Sequence, residues 1–212
     1  MSQPRIAVVD YGAGNILNVL RALEHLGAKP ELVDSPDALG EAAGVVIPGV
    51  GAFGAGMHGL ERTGMDEALR DSCAQGVPLL AICLGMQLLA SSSEENPGVT
   101  GLGLIDGHVR KLSPHGSDDA LERVPDTGWA RVDFTRPSLG FSVNKPRNFY
   151  FSHSYYFAPS DSSVVSGTKA RQSTQIPVLL EQGPIVAAQF HPEKSGSDGI
   201  GLMRTWIESR VL

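Results

Sequence analysis

The stretch Leu79-Leu80-Ala81-Ile82-Cys83-Leu84-Gly85-Met86-Gln87 decides the fold. Residues 77–82 are apolar throughout and read as a strand buried on both faces, and a helix begins at Cys83 or Leu84. Cysteine stands at the corner, with small residues, Ala81 and Gly85, two positions to either side, the layout of a nucleophile elbow. Small residues are needed because the turn is strained and the helix passes close to neighbouring strands. The corner puts the sulfur at the sheet's edge, by the positive end of the following helix, where a thiolate is favoured. A buried cysteine that merely packs is the commoner fate of a lone Cys, so the elbow alone leaves both readings standing. Cys73, inside the preceding helical segment, has no such setting and reads as inert.

Working outward, strands and helices alternate. Arg5 to Asp10 is an apolar run ending in the turn Tyr11-Gly12-Ala13-Gly14. Ile16, Leu17, Val19, Leu20, Leu23 and Leu26 recur at helical spacing, and Gly27 stops them. Glu31-Leu32-Val33 and Gly44-Val45-Val46-Ile47 read as strands, and residues 61–75 as a helix. Strands apolar on both faces and separated by helices predict a mostly parallel open sheet with helices on both sides. From about Gly107 to Phe190 the candidates are shorter and β-branched or aromatic: His108-Val109-Arg110, Ala130-Arg131-Val132, Phe149 to Phe157, and Ile185 to Phe190. They predict an antiparallel section added to that sheet. Ser113 to Asp126, with its acidic pair Asp118-Asp119, reads as a solvated loop, and a helix over Gly199 to Ser209 closes a single α/β domain of residues 1–212.

The whole-chain figures exclude several classes. A formal net charge of −6 disfavours nucleic acid as the main partner, because phosphate binding needs excess Lys and Arg. Hydrophobic residues at 42% and charged residues at 19% are those of a globular chain rather than a disordered one. No apolar run reaches membrane-spanning length, and nothing after Met1 resembles a signal peptide. Two cysteines do not make a disulfide framework, so a cytoplasmic enzyme is the expectation.

Two further signals bear on Cys83. Gln189-Phe190-His191-Pro192-Glu193-Lys194 follows a strand, so His191 sits where open sheets collect active-site groups. A cysteine nucleophile needs a base, and the imidazole needs an acceptor such as Glu193 to fix its tautomer. Taken alone, the triplet could equally be a surface turn. The second signal is Ile47-Pro48-Gly49-Val50-Gly51-Ala52-Phe53-Gly54, a glycine-rich turn after a strand. It could present backbone N–H groups to a developing oxyanion beside that of Leu84. Read instead as a phosphate cradle, it lacks the Lys-Ser/Thr ending of a P-loop and the spacing of a dinucleotide fingerprint. No histidine pair has metal-ligand spacing, and Glu94-Glu95 reads as a solvated helix end. In the aromatic run alternation predicts core, with Ser152 and Ser154 on the face shared by Tyr150 and Tyr156.

Together, Cys83 in its elbow, His191-Pro192-Glu193 and the Pro48-Gly49-Val50-Gly51 turn resemble the class I glutamine amidotransferases. Asp10 to Asn15, Ser93-Glu94-Glu95-Asn96, Phe149 to Tyr156 and His191 to Ser195 resemble, within that class, the glutaminase subunits of imidazole glycerol phosphate synthases. The resemblance implies that Cys83 attacks the side-chain amide of L-glutamine, that His191 acts as base and then acid, and that Glu193 orients it. It implies oxyanion N–H groups from Val50 and Leu84, with Gly49 and Gly51 letting the turn rearrange. It places Gln87, Glu95 and Ser154 on the glutamine, needs neither cofactor nor metal, and implies a heterodimer with a (β/α)₈-barrel cyclase that receives the ammonia. Trp129, Tyr150 and Lys194 match positions that contact that partner. Other outcomes it allows are a subunit feeding a sugar-modifying synthase, or a silent regulatory subunit. The chain departs from the family at Ala81, where glycine is usual, and at Asp126 and Ala130, where histidine and asparagine are typical.

Overall fold

A computed structural model describes residues 3–12, 15–114 and 122–212. Ala13 and Gly14 of the early turn, and Asp118-Asp119 with the middle of the expected loop, lie outside the described residues.

The first half runs β1 (Arg5–Val9), α1 (Ile16–His25), β2 (Lys29–Val33), α2 (Pro36–Leu39), β3 (Gly44–Ile47), α3 (Phe53–Thr63), α4 (Met65–Ala74), β4 (Leu79–Ile82) and α5 (Leu84–Leu88). The second half runs β5 (Ser92–Ser93), β6 (Gly107–Lys111), β7 (Asp126–Phe134), β8 (Arg147–His153), β9 (Tyr155–Pro159), β10 (Val165–Arg171), β11 (Thr174–Gln182), β12 (Ile185–Ala188) and α6 (Gly196–Trp206). Nine strands form one sheet in the order β2-β1-β3-β4-β12-β11-β10-β7-β8. Its first five strands pair in parallel and the rest antiparallel, as predicted except at β12, which was expected in the antiparallel section and instead pairs in parallel with β4.

The parallel strands are apolar on both sides because both sides are covered. Ala7, Val9, Val45, Ile47, Leu79 and Ala81 pack with Phe53, Met57 and Leu60 of α3, Leu69 of α4 and Leu84 of α5. The alternating set, Ile6, Val8, Val46, Leu80 and Ile82, packs with Val19 and Leu23 of α1 and Leu202, Met203 and Trp206 of α6. Each strand thus feeds two cores with its period-two pattern.

Four other expectations change. The helix expected over residues 61–75 is two helices, split where Gly64 takes φ 72°. The first begins at Phe53, inside the stretch that reads as a glycine-rich turn, and its glycines serve close packing: a Cβ on Gly59 would stand 2.1 Å from the Tyr11 carbonyl oxygen. Strands β10 and β11 were not legible, since Pro177 inside β11 argues against a central strand and β10 carries a register irregularity near Gly167. The aromatic run does not stay in one sheet. It breaks at Ser154, after which β9 joins β6 and β5 in a separate three-stranded sheet, so Tyr156 leaves the strand of Tyr150. The last helix starts earlier than expected, at Gly196, and continues through a π-wound turn, Ile207–Val211.

Candidate active site

Three strand ends deliver the chemistry to one place, the carboxyl edge of the parallel half. β4 and β12 lie side by side with Ile82 opposite Ala188, and the Cys83 N–H donates to the Ala188 carbonyl at 2.7 Å. Cys83 and Gln189 therefore leave the sheet at the same level, with His191 two residues further on. On the other flank Ile47 pairs Ala81, and the Pro48-Gly49-Val50 turn emerges there.

Cys83 is the corner that the sequence announced. Its φ of 54° and ψ of −107° are costly for a residue with a Cβ, the strained backbone of an elbow. Gly85 passes the neighbouring strand so closely that a Cβ would lie 2.0 Å from the Ile47 carbonyl oxygen. Ala81, where glycine is usual, is fully buried and fits. The sulfur sits 3.9 Å from the Ser152 carbonyl and 3.7 Å from Gln189 Nε2. Burial pushes the Cys73 thiol up to about 11, in keeping with an inert group.

His191 bonds through Nδ1 to Glu193 Oε1 at 2.8 Å, so Nδ1 carries the proton and Nε2 is left without a hydrogen-bond partner. Glu193 also accepts from Asn15 Nδ2 at 3.0 Å. The turn is clamped from behind: Ser195 Oγ donates to the His191 carbonyl at 2.6 Å and accepts the Tyr150 N–H at 2.9 Å. Burial opposes the imidazolium, but the negative ends of Cys83 and Glu193 outweigh it and raise His191 from 6.5 to about 9. The histidine therefore holds both protons at neutral pH.

The glycine-rich turn is differently set. The Leu84 N–H, an expected oxyanion donor, here donates to the Gly49 carbonyl at 3.3 Å. Tyr11 anchors the same turn from below by donating its hydroxyl to the Pro48 carbonyl at 2.6 Å; burial, with Cys83 nearby, pushes this phenol's pKa far up.

A cavity of about 250 Å³ opens over the sulfur, lined by Val50, Gly51, Cys83, Leu84, Gln87, Glu95, Pro125 and residues 152–155. The structure thus brings Gln87, Glu95 and Ser154 to the cavity over Cys83. Both N–H groups of Gln87 are engaged, with the Tyr155 carbonyl at 2.9 Å and Gln189 Oε1 at 3.0 Å. Glu95 is no solvated helix end of its own segment: its Oε2 accepts the Phe53 N–H at 2.7 Å, and Asn96 Oδ1 accepts that of Gly54 at 2.8 Å. Together they satisfy the first donors of α3, which has no cap of its own.

Behind the cavity wall lies a buried charge cluster that the sequence did not reveal. The Asp126 carboxylate pairs with Lys169 Nζ and, at 3.3 Å, with Arg171. Arg171 also meets Glu122 at 3.0 Å and the carbonyls of Ser113 and Arg123. His153 Nε2 stands 3.9 Å from Asp126, and its Nδ1 bonds the Tyr155 carbonyl at 2.8 Å. Burial lowers His153 to about 4, so the ring is neutral. Asp126, one of the departures from the family pattern, turns its carboxylate inward.

On the outer face Trp129 is 59% exposed and meets Tyr150 edge-on, with ring centroids 6.3 Å apart. Lys194 Nζ lies 6.0 Å from the Tyr150 ring, so these three also assemble. Among the described residues no group of three acidic, His or Cys side chains is set to hold a metal ion, and no helix is long and apolar enough to cross a membrane.

Sequence reading missed Asn15, Gln189 and Ser195. Only Gln189 carried a signal, as a polar residue in the apolar run of Ile185 to Phe190. Comparison with known proteins bears on the whole arrangement. The model of the glutamine amidotransferase class-I family matches residues 7–204. The imidazole glycerol phosphate synthase subunit HisH of Moorella thermoacetica is 43% identical over 96% of this chain and 94% of its own length. The HisH subunit of Herpetosiphon aurantiacus is 42% identical over 96% and 93%. A crystal structure of a glutamine amidotransferase shares the fold at 22% identity, with a TM-score of 0.74 over 95% of this chain and 97% of that one. The chain is a glutamine amidotransferase, belonging to the class I family and, within it, to the branch of the imidazole glycerol phosphate synthase HisH subunits.

Proposed function

We propose that this chain, acting as one catalytic domain, hydrolyses L-glutamine through Cys83, His191 and Glu193 and passes the ammonia to a (β/α)₈-barrel cyclase. The observation that carries the reading is the strained Cys83 corner set beside a strand end whose His191 is bonded to Glu193 at 2.8 Å. With the proton held on His191, the Cys83 sulfur attacks the carboxamide carbon and its oxygen takes the negative charge. His191 gives its Nε2 proton to the departing nitrogen, and ammonia leaves a glutamyl thioester. Water then attacks the thioester as His191 takes its proton, and glutamate departs from a restored sulfur.

Val50 and Leu84 are the proposed donors to the oxyanion, with Gly49 and Gly51 giving the turn its freedom. Because Leu84 gives its N–H to Gly49, the Gly49–Val50 peptide has to turn over first; that motion would release Leu84 and aim Val50 inward. Gln87, Glu95 and Ser154 would hold the glutamine. Trp129, Tyr150 and Lys194 would meet the cyclase, whose products would be imidazole glycerol phosphate and an aminoimidazole carboxamide ribotide, in histidine biosynthesis. The names of the relatives support that acceptor.

The test is to mix the full chain with a purified cyclase and its ribonucleotide ligand and follow glutamate. Release should rise on mixing, and Cys83→Ala should abolish it while still binding the cyclase. Undiminished release by that variant rejects the nucleophile. A rise only with a sugar-modifying synthase rejects the acceptor.

A further inference from the structure

The amide of Gln189 lies outside the triad, yet its direction is fixed. Gln87 Nε2 donates to the Tyr155 carbonyl at 2.9 Å and to Gln189 Oε1 at 3.0 Å. A backbone carbonyl only accepts, so the NH₂ end of Gln87 has to face it, and the second N–H of that group reaches Gln189. Gln189 is left with its oxygen toward Gln87 and its NH₂ toward the nucleophile, Nε2 lying 3.7 Å from Cys83 Sγ. Both amides are buried, at 0% exposure for Gln189 and 5% for Gln87, which borders the cavity. Turning Gln87 over would set its oxygen against two oxygens, and turning Gln189 over would set N–H against N–H. The backbone holds the pair in place, since the Gln189 N–H donates to the Val178 carbonyl at 2.9 Å and that of Cys83 to Ala188.

We infer that Gln189 is a further member of the catalytic machinery, an oriented N–H donor to the anionic sulfur of Cys83, and that Gln87 is the positioning residue that aims it. The inference rests on Cys83 being the nucleophile. On another side of the sulfur the Ser152 carbonyl, at 3.9 Å, suits the neutral S–H, so the sulfur has one neighbour for each of its two forms. An amide has no proton to lose in this range, and it favours the anion without competing with His191. The titratable groups facing the sulfur are His191 and Tyr11, and Glu95, His153 and Tyr155 line the same cavity; none takes the position of the Gln189 N–H. The chain Tyr155 carbonyl–Gln87–Gln189–Cys83 also gives Gln87 a task apart from binding glutamine, and leaves only its Oε1 for the substrate.

The experiment is alkylation of the full chain by iodoacetamide across a pH series, with labelling at Cys83 and Cys73 read separately by mass spectrometry. Melting curves check that each variant is folded. Gln189→Leu should slow labelling of Cys83 at neutral pH about tenfold and move its half-maximal pH upward. Gln189→Glu, the same shape with a negative charge, should move it further, and Gln87→Leu should give a smaller shift in the same direction. Cys73 labelling should not change. Folded Gln189 variants that label along the wild-type profile overturn the inference, and Gln189→Glu alone decides it if Gln189→Leu does not fold. Full glutaminase turnover after complete labelling of Cys83 overturns the nucleophile reading itself, whatever the profiles show.

Discussion

The parallel half of the large sheet and its antiparallel half each form a wall of the same cavity, on opposite physical terms. In the parallel half, strands buried on both faces end in the Cys83 corner and the His191 turn, and backbone geometry sets the chemistry. In the antiparallel half the wall at residues 152–155 is backed by Asp126, Lys169, Arg171 and His153, a polar seam where charge compensation sets the position. One wall is fixed by register and packing, with Ala81 fully buried between β3 and β12. The other is fixed by the ionic contacts of Asp126 with Lys169 and Arg171, beside a neutral His153.

The sharpest way to break the contrast is to remove a polar contact from the parallel wall. Glu193→Gln keeps the shape but takes the negative partner from His191, and glutaminase kcat measured with the cyclase should fall about 10⁴-fold with the melting temperature little changed. Asp126→Ala attacks the other wall. It strands Lys169, whose side chain is 9% exposed, and leaves Arg171 with Glu122 alone, and denaturant unfolding should show a loss of about 3 kcal/mol. Equal stability of that variant would mean that the seam is not held by charge.

A third measurement uses acid. His153 is lowered from 6.5 to about 4, so the folded protein binds fewer protons than the unfolded chain between those values. Its contribution is present above pH 6.5 and is lost as pH falls toward 4, on the order of 3 kcal/mol in all. His153→Gln should flatten that part of the stability–pH curve. The smallest effect belongs to the outer face. Trp129 is 59% exposed, and Trp129→Ala should change unfolding stability by less than about 0.5 kcal/mol while weakening binding to the cyclase in a titration.

The two walls were unequally legible in the sequence, for a physical reason. Strand, elbow and His-Pro-Glu turn are local patterns, written in neighbouring residues by strand period and turn chemistry. The seam joins positions 126, 153, 169 and 171, which meet only once β7, β8 and β10 have paired, and two of these strands touch at just two register positions, Gly167 with Phe134 and Thr168 with Asp133. Helix α3 was hidden because its glycines read as a turn, whereas they admit the Tyr11 backbone. The clamps on His191 were hidden too, since Asn15 reaches Glu193 across 178 residues and Ser195 acts through a hydroxyl whose direction no pattern encodes. The glycine-rich turn was found, but the bond from Leu84 to Gly49 was not, because a peptide's orientation leaves no trace in residue types.

Ser154 is the only residue between β8 and β9, and those strands belong to different sheets. It also lines the cavity, within one stretch from residue 152 to 155. The rim of the cavity is therefore laid across the seam between two sheets, where one residue, Ser154, belongs to the strands of neither.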